Sequence, residues 1–314
     1  MLPGEGLRFS GSRCAPRSMV VTADLAGPEM PPEEKAYATN HLYESVFTGM
    51  DVMSDRRVTL DSGVARVVVD LDHGARLASL VVEGRELLVT EGPSAFAWGC
   101  YPMAPWAGRV LRGLFSFEGV EYQLPINMGD HAIHGTVFDR PWEQDGNGGF
   151  VVDLGPDWPF SGHVRQVIVP KDDSLELRLE VYSDGEAMPA ACGWHPWFLR
   201  DLGAGKPVVV TLNAGFMDER DEEGMPSGHR VTPPPGPWDD CFGGFTSPPV
   251  VEWPGLMRLV IDSSCDVYQV YTEEPHAVCV EPQTSPPNSL NTGADIVELG
   301  RPLVATASWC WELA

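Results

Sequence analysis

From Arg57 onward the chain is cut into short apolar-rich runs by Gly, Pro, Asn and Asp, and this punctuation limits the fold more than any other feature. The run RVTLDSGVARVVVDLDHG alternates and stops at Gly74. ARLASLVVEGRELLVT follows with Glu83-Gly84 as a turn, and LFSFEGVEYQLP reads as a hairpin around Glu118-Gly119, with Phe115 and Phe117 alternating before it. FVVDL, HVRQVIVP and LELRLEVYSDG come next; the last has a polar residue at every second place, which predicts one wet face. PVVVTLN, MRLVIDSS, DVYQVYTEE, HAVCVEP and PLVATASWCWEL complete the set. No helical pattern longer than two turns is present outside the N-terminal residues. Strands at this spacing without helical crossovers predict a large all-β sandwich or barrel.

The 314 residues, 43% of them hydrophobic, are enough for a sizeable core. Residues 1–50 differ from the rest: they carry Pro3, Pro16, Pro28, Pro31 and Pro32 with little periodicity, and read as an extended or disordered tail with a short helix in AYATNHLYESVF. Residues 51–314 are expected to form a single β-sandwich domain. The formal charge of −24, from 21 basic and 45 acidic side chains, repels phosphate backbones and anionic lipid, so neither nucleic acid nor membrane is an expected partner. No run of 18 apolar residues occurs, and the N-terminus has arginines but no apolar segment with a cleavage site. The seven cysteines are odd in number, form no CxxC pair and sit in apolar runs, which reads as free thiols in a reducing cytoplasm.

The stretch of residues 98–142 concentrates polar and aromatic groups. Arg109 sits in a Pro-Trp-Ala-Gly-Arg turn between aromatics, and NMGDHAIHG delivers His134 next to Gly135. A permanent charge, an imidazole and flat rings suit a polyhydroxylated ligand, whose C–H faces meet rings and whose hydroxyls meet polar groups. His195, in ACGWHPWFLR, follows a strand and is held extended by Pro196; it reads as a general acid or as a core histidine. Glu281 ends the strand HAVCVEPQ before Pro282, where desolvation makes a carboxylate a better base, unless it is simply solvated at the strand end. Gln283, two positions on, shares its face if the strand continues. Asp239 follows the proline-rich PPPGPW and reads either as a hydroxyl acceptor or as a turn cap. His131 and His134 form an HxxH without a helix or a third ligand, so no metal is expected there. No GxSxG elbow and no phosphate-binding loop occurs.

Taken together, these segments resemble the aldose 1-epimerases (galactose mutarotases). GARLASLVVEGRELL is similar to the opening of that family, and PWAGRV resembles the segment ending in its substrate-contacting arginine, here Arg109. NMGDHAIHG is similar to the segment of its sugar-binding histidine, here His134, and GWHPWF to that of its catalytic histidine, here His195. WDDCF resembles the segment of a hydroxyl-binding aspartate, here Asp239, and VCVEPQTSPPNS that of the catalytic glutamate, here Glu281 with Gln283 nearby. The motifs run in the family's order over residues 57–313. Ala107-Gly108 precedes Arg109 where galactose-type members commonly carry an asparagine, which marks a divergent branch.

The resemblance implies a large antiparallel β-sandwich with an open sugar cleft. It also implies anomer interconversion of a hexose, with an ionised Glu281 as base and a protonated His195 as acid, and with Trp106 or Trp194 over a sugar face. Acid–base ring opening needs no cofactor and no metal. Three alternatives stay open: a hexose-6-phosphate epimerase using Arg76, Arg109 and Arg112, a glycosidase using Asp239 and Glu281, and a non-catalytic carbohydrate-binding protein.

Overall fold

The computed structural model describes residues 56–314. The expected tail at residues 1–50 and its short helix lie outside the described residues. Two large antiparallel sheets dominate, one of 12 strands and one of 8. The path of the larger sheet runs Arg57–Asp61, Ala65–Asp70, Arg76–Val82, Cys100–Met103, Gly193–Pro196, Ala277–Gln283, Val267–Tyr271, Asp239–Gly243, Phe216–Arg220 and Pro226–Val231. The smaller sheet contains the long strands Gly162–Pro170, Ser174–Ser183 and Leu303–Leu313. The helical content of the described residues is one turn of α-helix at Ser289–Thr292 and a 3-10 turn at Leu111–Gly113.

Alternation explains the packing. In Ala65–Asp70 the side chains of Ala65, Val67 and Val69 are buried, while Arg66 between them is exposed. Their partners in Arg76–Val82 and the inward residues Leu175, Leu177, Leu179 and Val181 of the smaller sheet join one hydrophobic cluster, so the two sheets form a sandwich. Aromatic contacts cross the same layer: Phe198 meets Trp309 edge-on at 5.2 Å.

The predicted hairpin pairs Leu114–Phe117 with Val120–Gln123. Its two-residue turn, Glu118-Gly119, has both φ values positive, as the right-handed twist of the strands demands. The predicted wet face of Ser174–Ser183 is different in the structure. Glu176 and Glu180 are buried beneath a layer of charge partners. Arg165 and Arg178 bind the Glu180 carboxylate, and Ser308 donates to Glu176 with Lys171 at 3.4 Å. The arginines' aliphatic stems shield the outer face of the sheet while their heads neutralise it.

One polar link pins the middle of the sandwich. Trp194 is fully buried, and its indole N–H donates to Gln166 Oε1 at 2.9 Å. Gln166 in turn donates to the carbonyl of Ala75 at 2.9 Å. Trp194→Phe removes the only donor this buried oxygen has among the described residues, which costs about 1–3 kcal/mol for the orphaned group. Urea denaturation is expected to show a loss of that size; an unchanged midpoint and slope would mean that the link carries no stability.

Candidate active site

Pairing register assembles the candidate residues on one face of the larger sheet. Tyr101 pairs with His195, Glu281 with Gln269, and Gln269 with Cys241. Gly193 pairs with Gln283, and two residues further along that antiparallel ladder His195 meets Glu281. The contact is direct: His195 Nε2 lies 3.2 Å from Glu281 Oε1, with both side chains almost fully buried. Side chains two positions away point the same way, which adds Trp197, Gln283, Cys279, Tyr271 and Asp239 to this face. His195 stacks against Tyr101 at 4.8 Å and against Trp197 at 5.4 Å between ring centroids.

Close approach of the two strands depends on a missing side chain. A Cβ on Gly193 would lie 2.3 Å from the carbonyl oxygen of Pro282 and 3.0 Å from Gln283 Cα. Gln283 then donates to Glu281 Oε2 at 3.1 Å and fixes the carboxyl from its other side.

Arg109 lies in a two-stranded ribbon, Arg109–Val110 paired with Ala132–Ile133, and His134 directly follows its second strand. The His134 N–H donates to the Gly108 carbonyl, and the Asn288 N–H donates to the carbonyl of Arg109. His134 itself has φ 62°, and Gly135 after it packs where a Cβ would lie 1.9 Å from the Ala104 carbonyl oxygen. Left-handed backbone at a histidine is uncommon and turns the ring inward; its centroid is 5.1 Å from that of His195. Arg109 Nη2 reaches to 3.6 Å from Asp239 Oδ2. Asp239 also accepts from Arg220 at 3.0 Å and from Gln269 Nε2 at 3.0 Å. Arg220 binds Asp240 with its Nε, so it spans both carboxylates.

Electrostatics of the pair are set by burial. Desolvation pushes Glu281 well above the usual carboxylate range, and the Asp239 charge adds to this against the Gln283 hydrogen bond and Arg109. Desolvation pulls His195 down to about 3, with Arg76 acting in the same direction. His134 falls well below the usual imidazole range through burial, then through His195 and Arg109. Between the two displaced values His195 and Glu281 together hold one proton. The expected ionised Glu281 facing a protonated His195 contains that same single proton. In the sugar-free protein, burial favours its neutral arrangement instead.

A second signature marks this face. Eight buried side-chain polar atoms among the described residues have no hydrogen-bond partner, and five of them are here: His134 Nδ1, His195 Nδ1, Trp197 Nε1, Gln269 Oε1 and Gln283 Oε1. Native proteins rarely leave buried polar atoms unpaired, and such a concentration points to groups reserved for a polar ligand. A cavity of about 980 Å³ lined by Arg112, Gln123, His131 and Glu223 contains none of these atoms.

Several sequence expectations change. Trp194 and Trp106 do not face this site. Trp194 is one position from His195 within the strand Gly193–Pro196 and so points into the sandwich core, while Trp106 packs on Trp158 at 5.7 Å in that core. Trp197 is the tryptophan beside His195. Asp239 opens a strand rather than capping a turn. Glu281 does not end its strand: pairing continues through Pro282 to Gln283, and Glu281 is 1% exposed. Arg76 is no phosphate ligand. It is fully buried and donates to the carbonyls of His73, Ala95, Trp98 and Phe138. Arg112 is paired with Glu223. Gln269, Tyr101 and Arg220 were not singled out from the sequence; a glutamine inside an otherwise apolar and aromatic strand is the one local signal that could have drawn attention to Gln269.

Gly193→Ala tests the close approach. It is expected to destabilise by about 1–3 kcal/mol, because the added methyl meets backbone on the facing strand. Gly185→Ala, where nothing lies within 4 Å, is expected to be near neutral in the same denaturation measurement. Equal effects at both positions would contradict the packing.

The sequence profile of the aldose 1-epimerase family matches residues 56–239, a span that holds Arg109, His134, His195 and Asp239. The uncharacterized protein YihR of Escherichia coli K12 is 27% identical over 293 residues, covering 79% of this chain and 91% of its own length. A galactose mutarotase-like protein from Clostridium acetobutylicum superposes with a TM-score of 0.72 at 17% identity, covering 82% of this chain and 95% of that one. Galactose 1-epimerase from Lactobacillus acidophilus gives a TM-score of 0.67 at 17% identity, covering 82% and 94%. The fold is therefore the galactose mutarotase-like one, and the chain belongs to the aldose 1-epimerase family.

Proposed function

We propose that the protein is an aldose 1-epimerase that interconverts the α and β anomers of a free hexose. The observation that carries this reading is the buried contact of His195 Nε2 with Glu281 Oε1 at 3.2 Å, two titratable groups holding one proton on a face of orphaned polar atoms. Mutarotation needs one base and one acid at the same moment. One member of the pair takes the proton of the C1 hydroxyl, and the other protonates the ring oxygen. The C1–O5 bond then breaks to the open-chain aldehyde. Rotation about C1–C2 presents the other carbonyl face, and reclosure returns both protons. O1 and O5 share the carbon C1, so neighbouring acid and base atoms can address both.

The pair can serve in either proton arrangement. The neutral form offers imidazole as base and carboxyl as acid; the ionic form exchanges those roles. A bound sugar brings hydroxyls into a site that burial had made costly for charge, and Arg109 adds a positive charge that favours the carboxylate. Arg109 and His134 are assigned to the oxygens near C1. Asp239, held by Gln269 and Arg220, is assigned to the distal hydroxyls. The free Oε1 atoms of Gln269 and Gln283 supply acceptors for further hydroxyls, and Trp197 supplies an apolar ring. The reaction consists of proton transfers coupled to breaking and re-forming one C–O bond, without a redox change, so the reading calls for no metal or organic cofactor. A phosphorylated hexose is disfavoured, because Arg76 is committed to carbonyls and Arg112 to Glu223. Cys100, Cys192, Cys241, Cys265 and Cys279 carry no disulfide, which agrees with a reducing, cytoplasmic setting.

Glu281→Gln keeps the side chain's size and removes its titration. Polarimetry on purified α-anomers is expected to show a loss of about 10²–10⁴ in kcat with sugar binding retained. A variant with the wild-type rate would overturn the assignment.

A further inference from the structure

A thiol that the proposed chemistry leaves unused lies beside the pair. Cys279 and Glu281 are two positions apart on the strand Ala277–Gln283, so both side chains project from the site face, and His195 reaches Glu281 from the neighbouring strand. One donor atom from each, the His195 ring nitrogen, the Cys279 sulfur and a Glu281 carboxylate oxygen, all lie within 4.8 Å of one another. We propose that His195, Cys279 and Glu281 form a binding site for a thiophilic divalent cation, zinc in the first instance, which switches the enzyme off by occupying its acid–base pair.

Geometry and donor chemistry both favour this cation class. Zinc bonds of about 2.0–2.3 Å in a tetrahedron set ligand atoms roughly 3.5 Å apart. The His195–Glu281 separation of 3.2 Å already fits, and the Cys279 sulfur lies within 4.8 Å of both, so binding has only to draw it inward. Imidazole, thiolate and carboxylate form a set suited to zinc and its soft neighbours, whereas magnesium and calcium take oxygen donors only. The charges also match the surroundings. Binding releases the Cys279 thiol proton and the proton shared by the pair to solvent, and the resulting dication with one thiolate, one carboxylate and one neutral imidazole is net neutral, which a site this buried tolerates better than any single ion. Three protein ligands leave the fourth position open, and in the proposed reaction the sugar's C1 end competes for the same His195 and Glu281 atoms. In the sequence Cys279 is one thiol among seven; only the pairing of its strand with that of His195 distinguishes it.

The inhibitory part rests on the epimerase reading, whereas the binding part does not. The experiment therefore follows both on the full metal-stripped chain. Zinc titrated by calorimetry is expected to bind at one equivalent, and cobalt(II) in its place to give a thiolate charge-transfer band in the near ultraviolet. Cys279→Ser is expected to abolish that band and to weaken zinc binding by at least about tenfold, since even residues that merely orient a ligand cost about 10–100-fold. Cys241→Ser, a buried thiol elsewhere on the same face, is expected to keep both. X-ray absorption at the zinc edge of the unaltered chain should report one sulfur ligand at about 2.3 Å and needs no variant to fold. Mutarotation should fall as zinc is added and recover with excess sugar or chelator. Zinc that binds without a sulfur ligand, binds equally in Cys279→Ser, or leaves an active enzyme uninhibited would overturn the proposal with the epimerase reading intact. A cobalt–thiolate band in a chain inactive on every aldose would uphold the metal site and sink the epimerase reading instead.

Discussion

A bare backbone at Gly193 is what the rest of the site depends on. It lets the strand Gly193–Pro196 lie against Ala277–Gln283 closely enough for His195 and Glu281 to touch inside the protein. A carboxyl that would be ionised on a surface and an imidazole that would titrate near neutrality there are instead desolvated together. Burial alone would make each merely neutral. In contact they become one proton-holding unit with an acid and a base at adjacent atoms, which is the requirement of a reaction that opens and recloses a cyclic hemiacetal.

Surrounding structure is arranged to hold that unit still. Tyr101 and Trp197 stack on the imidazole, Gln283 holds the carboxyl, and Trp194 ties the back of the same strand to Gln166 across the core. Arg76 lies beneath the site as a buried cation saturated by backbone carbonyls, and its guanidinium packs 4.2 Å from the centroid of the Trp98 ring. Burial is what chiefly keeps the His195 imidazole neutral, and the Arg76 charge acts in the same direction. The polar atoms without partners are thus found within a rigid frame, consistent with a site organised before its ligand arrives.

Much of this was legible in the sequence, because period-two alternation and turn residues are local signals. The hairpin at Glu118-Gly119, the long strands of the smaller sheet and the strand carrying Glu281 follow from them directly. The individual site residues were legible chiefly through resemblance, and their convergence depends on pairing between strands remote in sequence. Errors arose where a local cue concealed a strand. The prolines before Asp239 suggest a turn, yet the bend covers only Pro235 and Gly236, and a strand begins at Asp239. Reading His195 as lying beyond a strand removed the parity rule that would have sent Trp194 to the opposite face. Gln269 and Arg220 act through neighbours on other strands, and nothing near them in sequence encodes those neighbours.

The claim at the centre is that His195 and Glu281 work as one buried pair sharing one proton. The most direct measurement is the pH dependence of kcat/KM for anomer exchange, which reports the ionisations of the sugar-free enzyme. Below about 3 the imidazole takes a second proton and the pair loses its base; above the raised value of Glu281 it loses its only proton and with it the acid. A shared proton predicts an acid limb near 3, a level region above it, and an alkaline limb set by the raised carboxyl. An acid limb near the ordinary carboxylate value of about 4.3 together with an alkaline limb near the ordinary imidazole value of about 6.5 would show two independent, solvated groups and contradict it.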